Sequence, residues 1–218
     1  MKNYKYVTKD KARKYREEFL DIIRELQNIL RDDFTFQFKF IGSSARNMIT
    51  FDSKTNIGFD FDINLEINDP EENFSAKEIK LKIINVLNQI IRKRGGIVGP
   101  LGFKFCENST RVITIKRIDY SNSRICYSCD IAIVNNYTDE RGQQCKEYIR
   151  YNKKDDSYTW QQQPAPYKLE KKIKKIKEHN MWQDVRKLYL DKKNCNDNPD
   201  KKSRALYAET INEICERI

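Results

Sequence analysis

One histidine, His179, stands in the whole chain, and that scarcity narrows the metal chemistry open to it. Zinc sites draw on paired cysteines, or on a pair plus histidines, at suitable spacing. Here Cys126 and Cys129 form a lone CxxC, while Cys106, Cys145, Cys195 and Cys215 are scattered. The pair also falls in a strand-like run, where residues three apart point to opposite faces. Reduced, structural cysteines are expected, because a disulfide framework does not fit a cytosolic chain of this size. Long apolar runs are missing as well. No stretch of about 18 apolar residues exists, so no membrane span and no membrane partner are expected. Met1-Lys2-Asn3-Tyr4 lacks the apolar core of a signal peptide, which makes the cytoplasm the expected compartment. Internal repeats and long low-complexity tracts are absent too.

What is present is a core-forming chain with a heavily charged surface. Hydrophobic residues make up 39% and aromatics 11%, against 34% charged residues and a mean hydropathy of −0.83. A length of 218 residues fits one large domain or two small ones. The net charge is +10, from 42 basic and 32 acidic side chains. Solubility alone accounts for such an excess; an anionic partner, nucleic acid or nucleoside triphosphate, is the sharper reading. The excess is uneven: Tyr167 to Lys193 holds ten Lys or Arg against four Asp or Glu.

Hydrophobic periodicity divides the chain. Tyr15, Phe19, Ile22, Ile23, Leu26, Ile29 and Leu30 recur three and four apart, which predicts an amphipathic helix over Lys9 to Arg31. Phe34, Phe36, Phe38 and Phe40 alternate with polar residues, which predicts a half-buried strand. Ile41-Gly42-Ser43-Ser44 ends it, a short helix is expected over Ala45 to Ile49, and a loop over Asp52 to Gly58. A second strand runs from Phe59 to Ile67, and Asn68-Asp69-Pro70 punctuates. Ser75-Ala76-Lys77-Glu78 has the pattern of a capping box opening a helix to about Arg94, stopped by Gly95-Gly96. Strands are expected over Phe103 to Cys106, Arg111 to Ile118 and Arg124 to Val134, and a hairpin across Tyr148 to Trp160. Pro164 and Pro166 mark a boundary. Helices then read over Tyr167 to Lys177, Trp182 to Lys192 and Ser203 to Arg217. The expected fold class is α+β: a mixed α/β region over 1–163, then a basic helical region over 164–218.

The chemistry concentrates on a few residues. Asp60 and Asp62 lie two apart in the second strand. At roughly 3.3 Å per residue their side chains leave one face about 7 Å apart, while Phe59, Phe61, Ile63 and Leu65 point to the other. Two carboxylates on one face repel each other unless a cation neutralises them, and hard cations such as Mg²⁺ favour carboxylate and phosphate oxygens. The plain alternative is an exposed acidic pair on a strand. Gly42-Ser43-Ser44 follows a strand, and glycine lets backbone and hydroxyls approach a phosphate; a simple turn is the alternative. Asp130 is embedded in the apolar run Cys129-Asp130-Ile131, where a carboxylate needs a partner. If its strand lies beside that of Asp60 and Asp62, three carboxylates converge.

A strand ending in Gly42-Ser43, a strand carrying Asp60-Phe61-Asp62, and a later strand with Asp130 together resemble the polymerase-beta-type nucleotidyltransferase superfamily. Thr50 lies near the place where the template-independent branch often has a threonine. That branch includes poly(A) polymerases, oligoadenylate synthases and bacterial cyclic-oligonucleotide synthases. The layout matches over roughly residues 10 to 218, while the specific motifs are three short ones. The gap from Gly42 to Asp60 is longer than in the tightest versions, through an insertion over Thr50 to Ile57.

The resemblance implies Mg²⁺, or Mn²⁺, held by Asp60, Asp62 and Asp130, with Gly42, Ser43 and Ser44 on the β- and γ-phosphates. It implies transfer of a nucleoside monophosphate from a triphosphate, ATP first among them, to a hydroxyl on RNA, a nucleotide or a protein, with release of pyrophosphate. Lys171, in the basic tail, is the lysine expected on the triphosphate; a solvated helix face is the alternative for that run. Tyr158, Trp160 and Tyr167 offer stacking surfaces for a base, with core packing as the plain reading. Arg46 is in reach of a phosphate by position. Two other functions stand beside this one. The first is a noncatalytic nucleotide- or nucleic-acid-binding module of the same fold. The second is a metal-dependent nuclease built on Asp60, Glu66 and Lys116, which leaves Gly42-Ser43 unexplained and lacks a Glu-x-Lys pair at the expected spacing.

Overall fold

The computed structural model describes residues 2–69, 71–96, 100–163 and 167–218. Pro70 and the expected boundary at Pro164 and Pro166 lie outside the described residues. In chain order the elements are β1 (Tyr4–Tyr6), α1 (Lys9–Leu30), β2 (Thr35–Phe40), α2 (Gly42–Arg46), β3 (Thr50–Asp52), β4 (Phe59–Asn68), α3 (Ala76–Lys93), β5 (Leu101–Asn108), β6 (Ile113–Asp119), β7 (Arg124–Thr138), β8 (Gln144–Asn152), β9 (Ser157–Gln162), α4 (Glu170–Glu178), α5 (Trp182–Cys195) and α6 (Ser203–Glu216). Two compact units result. The larger comprises Val7–Ile49 and Asn56–Gln163; the smaller comprises Met1–Tyr6, Thr50–Thr55 and Pro164–Ile218. The smaller unit therefore takes in two short N-terminal segments besides the tail that the sequence set apart.

Among the described residues, the larger unit has a seven-stranded sheet with β2, β4, β7, β6 and β5 in that order, and with β8 joining β7 to β9. The β4–β7 pair is parallel, and the neighbouring pairs are antiparallel. Alternation sets the faces. Phe59, Phe61, Ile63 and Leu65 of β4 are all buried, as are Phe36 and Phe40 of β2 and Ile131 and Ile133 of β7. Helices α1 and α3 pack against each other. They bury Phe19, Ile22, Ile23, Leu26 and Leu30 from α1, and Ile79, Ile83, Leu87, Ile90 and Ile91 from α3. Each such side chain stabilises the fold by about 1.5–3 kcal/mol. With the apolar face of the sheet spent on the core, the polar face of β4 is left for Asp60 and Asp62.

The helix ends follow the local chemistry. Ser75 and Glu78 form the reciprocal capping box at the start of α3, with the Ser75 N–H donating to Glu78 Oε2 at 2.8 Å. Its end turns through Gly95 at φ +88°, a conformation glycine adopts without a Cβ penalty, and the Gly96 N–H donates to the Ile91 carbonyl at 2.9 Å. The short helix differs from expectation. It spans Gly42–Arg46 rather than Ala45 to Ile49, because Asn47 adopts the left-handed conformation and stops it. Residues 50–52, expected at the edge of a loop, form β3 and pair with β1, Tyr4 opposite Asp52.

The smaller unit is helical apart from that β1–β3 ribbon. Helix α6 packs against α4 and α5, and α5 against β1. Ile176, Val185, Tyr189, Leu206, Tyr207, Ile211 and Ile214 form its buried side, and Lys193 donates to Thr50 Oγ1 at 2.7 Å.

Candidate active site

Strand pairing brings the sequence-singled carboxylates to adjacent rows of the sheet. Asp62 lies opposite Asp130 across the parallel β4–β7 pair, and Asp60 lies opposite Ser128. On the far side of β7, Thr114 of β6 lies opposite Asp130, and Lys116 opposite Ser128. A residue period of two puts all of these on one face.

A hydroxyl engages each aspartate. Ser128 Oγ donates to the Asp60 carboxylate. Thr114 Oγ1 donates to Asp130 Oδ1 at 2.6 Å, within the short range of a hydrogen bond to an ionised acceptor. Ser44 acts on the backbone instead: its Oγ accepts the Asp62 N–H at 3.1 Å. The Ile41 N–H returns to the Asp62 carbonyl at 3.0 Å, so the Gly-Ser turn is laced to β4 at Asp62 from both sides. Gly42 sits directly against the carboxylate, at φ +60°, and a Cβ added there would come within 2.9 Å of Asp62 Oδ2. Such proximity needs glycine both for conformation and for space.

The electrostatics record the crowding. The Asp62 carboxyl is raised to about 6, first by burial, then by the charges of Asp130 and Asp60, with the Arg46 guanidinium offsetting part of the rise. Asp130 is also raised by burial; the Thr114 hydrogen bond opposes this, and the charge of Asp60 adds to it. Like charges held together in a partly desolvated place favour a cation between them. The donors are hard carboxylate oxygens. Cys129, next to Asp130 in sequence, is buried on the opposite face, and its thiol is pushed well above its usual range by desolvation. That donor set fits Mg²⁺ or Mn²⁺ better than zinc. Among the described residues, no three His, Cys, Asp or Glu groups form a ready-made metal cage. Mg²⁺ sites are built in that open way, from one or two carboxylates completed by water and substrate phosphates.

The other sequence candidates separate. Ser43 is in the first turn of α2, and its carbonyl accepts the Met48 N–H at 3.0 Å. Ser44 is buried, and its oxygen serves β4. Lys171 is on α4, in the smaller unit. Tyr158 is half-buried and stacks on Tyr151 with ring centroids 4.6 Å apart. Glu66 pairs with Lys146 at 3.4 Å and Lys116 with Glu107 at 2.6 Å, so two of the nuclease candidates are tied up in ion pairs. Thr114 and Ser128 were not singled out from the sequence. Ser128 lies two residues before Asp130 and so on its face, a signal that was readable; Thr114 becomes visible only through the β6–β7 register.

No known family profile matches the chain, and no curated protein is detectably similar in sequence. Solved structures do share its fold. One is a CdnE c-di-GMP synthase from Capnocytophaga granulosa, described as STING-associated, with TM-score 0.59 and 20% identity over 95% of this chain and 61% of that one. Another is the Vibrio cholerae cyclic AMP-GMP synthase DncV, described as a prokaryotic cGAS homolog, with TM-score 0.56 and 15% identity over 90% of this chain and 50% of that one. The 3'-deoxy ATP bound form of DncV gives TM-score 0.52 at 14% identity, over 96% of this chain and 53% of that one. The chain thus spans between half and about 61% of the length of these neighbours. The chain shares its fold with these synthases.

Proposed function

We propose that this chain is a metal-dependent nucleotidyltransferase that moves a nucleoside monophosphate from a nucleoside triphosphate to a hydroxyl acceptor and releases pyrophosphate. The observation that carries the proposal is the placement of Gly42 against Asp62 Oδ2, with Asp130 directly across the sheet. A glycine turn packed directly against one carboxylate, with two more carboxylates on the same face, is an arrangement that a noncatalytic acidic strand has no need of.

In this reading Asp60, Asp62 and Asp130 would hold Mg²⁺ or Mn²⁺. The metal would neutralise charge on the phosphates and sharpen the acceptor hydroxyl as a nucleophile. Asp62 would face the triphosphate side, since Gly42 and Ser43 sit there to receive the β- and γ-phosphates. Asp130 would serve the acceptor side and draw the hydroxyl proton. Arg46, close enough to act on Asp62, would add positive charge on the phosphate side. Catalysis then rests on positioning and charge neutralisation, as in phosphoryl transfer generally.

ATP is the first donor to test. The names of the fold neighbours, a c-di-GMP synthase and a cyclic AMP-GMP synthase, support a nucleotide hydroxyl as the acceptor, ahead of RNA or protein. The test is to incubate the protein with each α-labelled triphosphate and Mg²⁺ or Mn²⁺, alone, in pairs, and with RNA. The proposal predicts pyrophosphate and a labelled product that need Asp60 and Asp62. No turnover of any triphosphate by a folded protein that also shows no metal binding would sink it, and nicking of DNA that needs Asp60 would favour the nuclease reading.

A further inference from the structure

We propose that Thr114 is a positioning residue for Asp130, fixing which carboxylate oxygen is offered to the metal and the acceptor hydroxyl. The inference rests on the transferase reading above and deepens it. An aspartate carboxyl turns easily about its last side-chain bond, which has a broad, roughly two-fold preference, so a carboxylate that must serve an ion needs something to hold it. Asp60 is held by Ser128. Asp62 is fixed through its backbone by Ser44 and Ile41, and its carboxylate is confined by Gly42. Asp130 lies between Asp62 on β4 and Thr114 on β6, and Thr114 is the residue that bonds it, at 2.6 Å to Oδ1.

The choice of threonine has a physical consequence. Its branched Cβ restricts its first side-chain torsion, so the hydroxyl is aimed by the strand backbone rather than by a flexible chain. Occupation of Oδ1 by Thr114 leaves Oδ2 to meet the ion and the incoming hydroxyl. The triphosphate, received beside Gly42 and Asp62, is on the other side of this arrangement. Loss of the Thr114 hydroxyl therefore acts on the acceptor half of the reaction and spares triphosphate binding.

The test compares wild type with Thr114→Val, which keeps shape and removes the hydroxyl, and Thr114→Ser, which keeps the hydroxyl; Thr114→Ala serves if the valine variant does not fold. Thr114→Val is expected to lower kcat about 10–100-fold while KM for the triphosphate moves less than about threefold, and to weaken Mn²⁺ binding to the substrate-free protein by a similar 10–100-fold. Thr114→Ser restores both. Values for Thr114→Val within about twofold of wild type in both measurements overturn the inference. A wild-type protein that binds Mn²⁺ but turns over no triphosphate contradicts the transferase reading, and the Mn²⁺ ratio between wild type and variant then decides on Thr114. A wild-type protein that binds no Mn²⁺ even with a nonhydrolysable triphosphate present overturns both.

Discussion

Asp62 costs the metal-free fold stability. Its carboxyl ionises at about 6 instead of 3.8 because burial and the charges of Asp130 and Asp60 oppose the anion. A raised acid weakens the folded state as it ionises. The penalty is absent below pH 3.8, grows as pH rises towards 6, and is full above that, up to about 3 kcal/mol. Asp62→Asn removes the charge, so it is expected to stabilise the metal-free protein at pH 8 and to lose that gain near pH 4, as read by urea unfolding at the two pH values. The same variant should lose transfer activity. Equal stability changes at both pH values would contradict the crowding of these carboxylates. Gly42 gives a second residue-scale prediction. Alanine at φ +60° costs about 1–2 kcal/mol in backbone strain. Its Cβ also pushes on Asp62, so turnover should fall by about 100-fold in a protein that still folds. That Asp60 and Asp62 share a face was legible in the sequence, because an alternating strand declares it; that Asp130 lies opposite Asp62 and Gly42 abuts it was readable only as an expectation that strand pairing had to supply. Ser44 was legible as a position but not as a role. Thr114 was not legible, since its partnership with Asp130 exists only once β6 and β7 are in register.

At the scale of elements, long periodic segments carried their own signal. The spacing of Phe19, Ile22, Ile23 and Leu26 located α1, Ser75 and Glu78 located the start of α3, and the alternation around Phe59, Phe61 and Ile63 located β4. The short elements did not. Tyr4–Tyr6 and Thr50–Asp52 are each three residues long, too short for a periodic pattern, and they become strands by pairing with each other. Helix α2 was displaced because the left-handed turn at Asn47 outweighs the apolar run Met48-Ile49, which is buried outside the helix. Strand β4 is where fold and site meet: its even residues carry the carboxylates and its odd residues anchor the core. Phe61, buried between Asp60 and Asp62 in sequence and in ring contact with Phe40, Phe59 and Tyr127, is the anchor. Phe61→Ala should cost about 3–5 kcal/mol, measured by chemical denaturation, and should lower activity through loss of folded protein. A variant as stable as wild type would mean that β4 is held in register by something other than this cluster.

At the scale of the whole chain, the sheet assembles a site from residues far apart in sequence. The parallel pairing of β4 and β7 needs a long connection, and α3, β5 and β6 supply it, which is how Asp62 and Asp130 come to face each other although they are 68 positions apart in the sequence. The same order places the Gly-Ser turn at one side of the carboxylates and β6 at the other. The sequence resemblance to the polymerase-beta-type enzymes rests on three short motifs, and the solved structures named as sharing the fold are 20% identical or less. The measurement that reaches the central claim most directly is calorimetric titration of Mn²⁺ into the protein with a nonhydrolysable ATP analogue, in wild type and in Asp60→Asn/Asp62→Asn. The account predicts that wild type binds metal and nucleotide together and that the double variant, still folded, does not. Undiminished metal-dependent nucleotide binding in the double variant would contradict it.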